Sequence, residues 1–147
     1  MRLGSLWPDN GELATWWQNL LEKKSRKSAW VILYTSDKLI LGKRSSVVRN
    51  PDQWNFFGGN IDAGEPTAEA AVRELEEETG YKIPASALRK ISEVDGATYF
   101  TAKITDPENV KTTDETSKVK TFKLVDLPNN LHSKTQNFFD QLDHLLT

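Results

Sequence analysis

The sequence predicts an α/β fold (α+β in its order of elements), in which a mixed β-sheet is flanked on both faces by helices. Three observations carry this prediction. Apolar residues recur at helical spacing in three separated stretches, short β-rich runs broken by turn residues lie between them, and the order reads helix, strands, helix, strands, helix. A chain of 147 residues suits one domain with a real core, and 37% hydrophobic against 27% charged residues excludes wholesale disorder.

The first helix is expected from about Glu12 to Lys23, where Leu13, Trp16, Trp17, Leu20 and Leu21 form one apolar stripe. The basic run Lys23, Lys24, Arg26 and Lys27 follows it, and cations at a helix C-terminus complement its dipole. Residues 1–28 therefore read as an N-terminal helical extension packed on a domain of residues 29–147. Ala29 to Tyr34 and Lys38 to Lys43 are β-rich and joined by Thr35-Ser36-Asp37, which predicts a hairpin. Beyond a polar loop come Trp54 to Phe57, then Gly58-Gly59 and a turn region ending near Pro66.

The clearest helix is predicted over Ala68–Thr79, with Thr67 as N-cap and Gly80 just past its end. Lys90–Val94 and Ala97–Ile104 read as strands joined at Asp95-Gly96. Thr105–Lys118 reads as a mobile loop and Val119–Val125 as a last strand. Ser133 can cap a closing helix whose apolar face holds Phe138, Phe139, Leu142, Leu145 and Leu146.

A net charge of −2 provides no basic field for long nucleic acid or an anionic membrane, so no long nucleic acid is expected and a phosphate-bearing ligand must be held locally. There is no cysteine and only His132 and His144 carry imidazoles, so any metal must be held by oxygen. No stretch approaches the roughly 20 apolar residues that span a bilayer, and the first ten residues lack the apolar core of a secretion signal. A cytoplasmic protein is expected, with monomer and homodimer both open.

On the Ala68–Thr79 helix, Glu74, Glu77 and Glu78 share one face, beside an apolar sector of Ala68, Ala71, Val72, Leu75 and Thr79. Crowded carboxylates ask for a cation, and Mg²⁺ prefers oxygen ligands while leaving positions for phosphates and water. A solvated acidic face is the competing reading of these three residues alone. The surrounding run decides between them: Gly59, five residues, Glu65, seven residues, Arg73-Glu74-Leu75, one residue, Glu77-Glu78, one residue, Gly80, then Tyr81. This resembles the complete Nudix box, with Tyr81 where an aliphatic residue is commoner.

That resemblance implies a Nudix-like α/β/α sandwich and hydrolysis of a phosphoanhydride bond in a nucleoside diphosphate linked to another moiety. It implies divalent metal held by the Gly58 carbonyl with Glu74, Glu77 and Glu78, with Mg²⁺ the default and Mn²⁺ a substitute. It gives Gly59, Glu65 and Arg73 supporting roles, Arg73 tying Glu65 and a helix glutamate in place. Leu39 to Arg44 is similar to the family's second strand, whose closing arginine faces the phosphates, here Arg44. Trp54 to Gly59 resembles its W-x-F-P-G-G run with Phe57 in place of proline, and Trp54 itself reads as core.

By the same likeness an acidic residue ahead of the last strand acts as general base; Glu115 is the first candidate and Asp114 the second. The small-molecule nucleotide is expected to be an NTP, a dNTP or a dinucleoside polyphosphate. Gly96 and Ala97 stand where a proline accompanies ADP-ribose hydrolysis, whereas Tyr99, 18 residues past Tyr81, matches a tyrosine that accompanies dinucleoside polyphosphate hydrolysis and could stack on a base. A 5′-triphosphate RNA substrate remains open. The rival classes are a catalytically inactive Nudix-fold module that senses nucleotides or binds partners, and an isoprenoid diphosphate isomerase. The former commonly loses box glutamates that this chain keeps, and the latter usually needs a cysteine that it lacks.

Overall fold

A computed structural model describes residues 27–44, 52–114 and 116–132, together with Thr135 and Phe138. Seven strands form one sheet: β1 (Ser28–Tyr34), β2 (Leu39–Arg44), β3 (Trp54–Asn55), β4 (Phe57–Asn60), β5 (Arg89–Val94), β6 (Ala97–Lys103) and β7 (Thr116–Phe122), with helix α1 (Thr67–Thr79) between β4 and β5. The expected helices over Glu12–Lys23 and from Ser133 onward fall outside the described residues, apart from Thr135 and Phe138.

The sheet is mixed. β1 runs parallel to β6 from Ser28↔Ala97 to Tyr34↔Lys103, and the other strand pairs are antiparallel. β1 and β2 share only the pairs Leu33↔Ile40 and Tyr34↔Leu39 before they part. The segment 54–60 fills the opening, Trp54-Asn55 pairing with Lys43-Gly42 of β2 and Phe57 to Asn60 with Val31 to Ser28 of β1. That passage delivers Gly58-Gly59 to one face of the sheet.

Strand β1 is buried on both faces, which explains why it reads as an almost unbroken apolar run. Alternation along it sends Ala29, Val31 and Leu33 to one core, with Ile40, Phe57, Phe100, Ala102 and the α1 residues Ala70, Ala71 and Leu75. Trp30 and Ile32 enter a second core with Leu39, Leu41, Trp54, Phe56, Tyr99, Phe122, Leu131 and Phe138. Trp54 is a core residue as expected, its ring meeting Phe122 edge-on at 5.0 Å. Phe57, in the place of a stiffening proline, is fully buried and its ring occupies the space beside Gly42.

Asn55 is buried between these layers. Its Oδ1 accepts from the Phe56 amide and from the Thr135 hydroxyl, both at 2.8 Å, which ties the closing segment to the sheet.

Three local expectations are corrected. Pro66, not Thr67, is the N-cap of α1: its extended ψ of 142° turns the chain in, its carbonyl accepts from Ala70, and no side chain caps the helix. The last strand begins at Thr116 and ends at Phe122, because its register is set by β2, from Arg44↔Thr116 to Leu39↔Phe122. The stretch read as a mobile loop is fastened at several points. Val110 is buried, the Lys111 amide donates to the Thr79 carbonyl (3.1 Å), and the Thr113 hydroxyl donates to the Glu78 carbonyl (2.8 Å).

Candidate active site

Helix α1 is placed by its small buried face. Ala70 and Ala71 let the helix lie close on β1 and β4, and Leu75 anchors its middle. Gly80 ends it in the left-handed region, φ 74°, with its amide returning to the Glu76 carbonyl. Within the last turn the buried Thr79 hydroxyl donates to the Leu75 carbonyl (2.6 Å) and accepts from the Tyr81 amide (3.1 Å). Together with Lys111 and Thr113, these bonds satisfy carbonyls that a helix end otherwise leaves without partners. Glu74 and Glu78, one turn apart, are thereby presented to the same side.

The glycine pair meets those carboxylates. The Gly58 amide donates to Glu78 Oε1 at 2.6 Å, which holds a carboxylate only 8% exposed against the strand. A Cβ at Gly58 would strike the Ala29 carbonyl and the Trp30 backbone. A Cβ at Gly59 would lie 2.7 Å from both Cδ and Oε2 of Glu74, so the bare backbone there leaves room for that carboxylate and nothing larger.

Arg73 bonds to several of the acidic groups. Its Nε donates to Glu65 Oε2 (2.8 Å) and its Nη2 to Glu65 Oε1 (3.0 Å), a two-point fork. Nη1 reaches Glu74 Oε1 at 3.1 Å and both oxygens of Glu77 at 3.2 and 3.3 Å, while Nη2 also donates to the Asn60 carbonyl at 3.1 Å. The fork, with the Asp62 amide beside it, holds the Glu65 carboxyl below its ordinary range, and the same bond to Glu65 pushes the arginine further up. Farther along, the Tyr81 hydroxyl donates to Asp106 Oδ1 at 2.5 Å. Burial and that carboxylate push the tyrosine up to about 12, and the tyrosine lowers Asp106 in return.

A cleft of about 350 Å³ opens here, lined by Arg44, Gly58, Gly59, Asn60, Asp62, Glu74 and Glu78. Five of the residues singled out from the sequence therefore share one cavity. Glu77 does not line it: half exposed, it lies against Arg73 four residues earlier, the nearest cation on its helix face. Among the described residues, accordingly, no three carboxylates already converge as a metal-binding group. Asn60 and Asp62 were missed, although an acid three positions after Gly59 in the box's turn was a usable signal.

Tyr99 is corrected as a base-stacking residue. It is 4% exposed and packs in the second core, its ring 4.3 Å from that of Phe138, because strand alternation sends it to the sheet face opposite Phe100 and α1. Glu115 lies outside the described residues, and Asp114 is exposed beside it.

The donors around the cleft, carboxylates of Glu74, Glu78 and Asp62 with the backbone of Gly58 to Asn60, are oxygen-rich and free of sulfur and imidazole. They fit a hard divalent cation such as Mg²⁺ or Mn²⁺. The close seat of Glu74 against Gly59 supports that fit, since it brings a side-chain carboxylate and the glycine backbone to one point.

A mixed sheet with a glutamate-bearing helix laid over a glycine turn defines an α/β sandwich with an acidic cleft. The chain belongs to the family defined by the NUDIX domain, whose profile matches residues 24–142. It is similar to an RNA pyrophosphohydrolase of a Nitratiruptor species, 27% identical over 136 residues, covering 78% of this chain and 86% of that protein. It is also similar to Nudix hydrolase 3 of Arabidopsis thaliana, 41% identical over 64 residues, 42% of this chain but only 8% of that relative's length. Among solved structures, a MutT NUDIX hydrolase from Burkholderia pseudomallei superposes with a TM-score of 0.65 at 25% identity, covering 80% of this chain and 97% of that one.

Proposed function

We propose that this protein is a divalent-cation-dependent pyrophosphohydrolase that cleaves a phosphoanhydride bond in a nucleoside 5′-polyphosphate. The observation that carries the proposal is the joint placement of Glu74 and Glu78, one against Gly59 and the other on the Gly58 amide, in a cleft that Arg44 also lines. Family membership and likeness to a pyrophosphohydrolase over most of both chains support it.

In this reading Glu74, Glu78 and the Gly58 carbonyl would hold the ion, Mg²⁺ by default, and Glu77 would join them by turning from Arg73 towards the cleft. When bound, such an ion neutralises charge on phosphoryl oxygens and makes a water more acidic. Arg44 reaches the substrate phosphates and holds them against the cleft, adding positive charge where negative charge gathers in the transition state. Arg73 keeps Glu74 oriented, and the Gly58 amide holds Glu78 against the strand. Glu115, or Asp114 next to it, accepts the proton of the attacking water, which requires approach to about 3 Å.

The test is a panel of NTPs, dNTPs, dinucleoside polyphosphates and 5′-triphosphorylated RNA incubated with Mg²⁺ or Mn²⁺, with products identified by mass. Cleavage of at least one of them, to a nucleotide with phosphate or pyrophosphate or, from a dinucleoside polyphosphate, to two nucleotides, lost in Glu78→Gln and strongly reduced in Glu115→Gln, is the expected result. Absence of product from the whole panel with either ion would overturn the reading.

A further inference from the structure

The two walls of the cleft belong to different parts of the fold. Glu74 and Glu78 stand on α1, which rests on β1 and β4, whereas Arg44 ends β2. At that end β2 has already parted from β1, with which it shares only Leu33↔Ile40 and Tyr34↔Leu39. The Arg44 amide donates to the Gln53 carbonyl and its carbonyl accepts from the Asp52 amide, both at 3.0 Å, and its other neighbour is Thr116 of β7. Within the sheet, the path from one wall to the other runs through β3 and β4, or back along β2 to its two pairs with β1.

A shorter path leaves the sheet and passes through Thr113. Its hydroxyl donates to the backbone carbonyl of Glu78 at 2.8 Å, and its amide donates to the Thr116 carbonyl at 3.1 Å. Thr116 is firmly seated: it is buried, and its Cγ2 lies 3.0 Å from where a Cβ on Gly42 would stand. A bulge sets how it meets β2. Lys43 pairs with Lys118 and Arg44 with Thr116, so Ser117 is the extra residue, and the Ser117 hydroxyl donates to the Lys43 carbonyl at 3.2 Å. One residue thus bonds both to the helix turn that presents Glu78 and to the strand partner of Arg44. The Glu78 carbonyl is among the last four of its helix, which need partners from outside it. Thr113 is only half-buried, so a water would serve that carbonyl equally well. What the hydroxyl adds is the connection to β7.

We infer that Thr113 is a positioning residue that sets the distance across the cleft between Glu78 and Arg44. The inference rests on the proposed function and adds to it a residue outside the cleft lining. A diphosphate group has anionic oxygens for both walls, for the arginine on one and for a cation among the carboxylates on the other. Its grip depends on the spacing between them. Removing the Thr113 hydroxyl releases the last turn of α1 from β7 while every group lining the cleft is kept.

The experiment measures binding of inorganic pyrophosphate with Mg²⁺ by calorimetry, with thermal melts and nucleotide hydrolysis alongside. The proteins are wild type, Thr113→Val, Thr113→Ser, Arg44→Ala, and Thr113→Val combined with Arg44→Ala. Valine keeps the shape of threonine without its hydroxyl, and serine keeps the hydroxyl. Thr113→Val is expected to raise the pyrophosphate Kd about tenfold, less than the roughly hundredfold attached to a misplacement of about 1 Å, because the residue 113 amide still bonds to Thr116. Thr113→Ser restores the affinity. In the Arg44→Ala background one wall has lost its grip, so Thr113→Val adds less than about twofold, a non-additivity that reports coupling between the two positions. Values of kcat/KM follow the same order. A lowered melting temperature in Thr113→Val with an unchanged pyrophosphate Kd would overturn the inference and leave the hydroxyl as a helix cap. An equal loss with and without Arg44, or no pyrophosphate binding by the wild type, would also overturn it. Failure of the hydrolase reading is distinguishable: no nucleotide is cleaved by the wild type, while pyrophosphate binding still tests the spacing of the walls.

Discussion

Replacing Gly59 by alanine separates the site from the fold. The added Cβ would lie 2.7 Å from Cδ and Oε2 of Glu74 and 2.8 Å from Oε1, well inside ordinary van der Waals contact at 3.4–4 Å. Its nearest obstacles are the atoms of one carboxylate at the end of a flexible side chain. Glu74 can therefore swing aside by roughly 1 Å, at the expense of its 3.1 Å bond from Arg73 and its seat in the cleft. Stability should change little, since the ion pair with Arg73 that is disturbed is partly exposed. Catalysis should suffer much more, because a ligand or reacting group misplaced by about 1 Å loses about a hundredfold in rate, equivalent to about 2.7 kcal/mol of barrier. The assay is kcat/KM on the best substrate of the panel over a Mg²⁺ titration, alongside a circular dichroism melt. A melting temperature within about 2 °C of wild type and a hundredfold loss in kcat/KM are expected. Activity within threefold of wild type would refute the claim that Glu74 must rest against bare backbone to function.

Gly58→Ala should behave in the opposite manner: its Cβ meets the Ala29 carbonyl and the Trp30 backbone, which cannot rotate away, and overpacking of this kind costs about 1–3 kcal/mol. A melt lowered by several degrees is expected, and an unchanged melt would contradict the structure. Glu65 has a folded pKa below its ordinary 4.5, so its contribution to stability is complete above that value and is lost as pH falls through the lowered one. Denaturation at pH 2 to 6 should show stability declining below about pH 4.5, with a shallower decline in Glu65→Gln; equal slopes would exclude Glu65 as a source. Tyr81→Phe should return the Asp106 carboxyl towards its ordinary range, read by NMR titration, and a titration curve that does not move would show that the hydroxyl is not what lowers it.

The glutamate-bearing helix was legible because all its signals are local. Glutamates and alanines at helical spacing and Gly80 at the end lie within one short run, and so did the fork from Arg73 to Glu65. Failures came where a partner distant in sequence decides the outcome. Thr116 joins a strand only because Arg44 is opposite it, and Lys43 faces Lys118 across 74 intervening residues, so no charge cluster is visible along the chain. The segment 105–115 is polar in composition, and its bonds to the carbonyls of Glu78 and Thr79 come from a backbone amide and a hydroxyl, groups that carry no pattern. Tyr99 was read by its distance from the box. Alternation with Phe100 separates their faces, but only the sheet shows which face carries α1.

The parallel pairing of β1 with β6 also dictates an order of events during synthesis. Helix α1 buries Ala70, Ala71 and Leu75 partly beneath Phe100, Ala102, Ile104 and Val110, all encoded downstream of the glutamates it presents. A nascent chain that has emerged only as far as Tyr81 thus holds every box residue and strands β1 and β4, yet lacks the apolar residues that β6 and the segment to Val110 add to the core beneath their helix. Assembly of the site waits for about thirty further residues, which at ordinary translation speeds is a delay of seconds. Premature termination within that window would release a chain with the complete signature and an unfinished core beneath it.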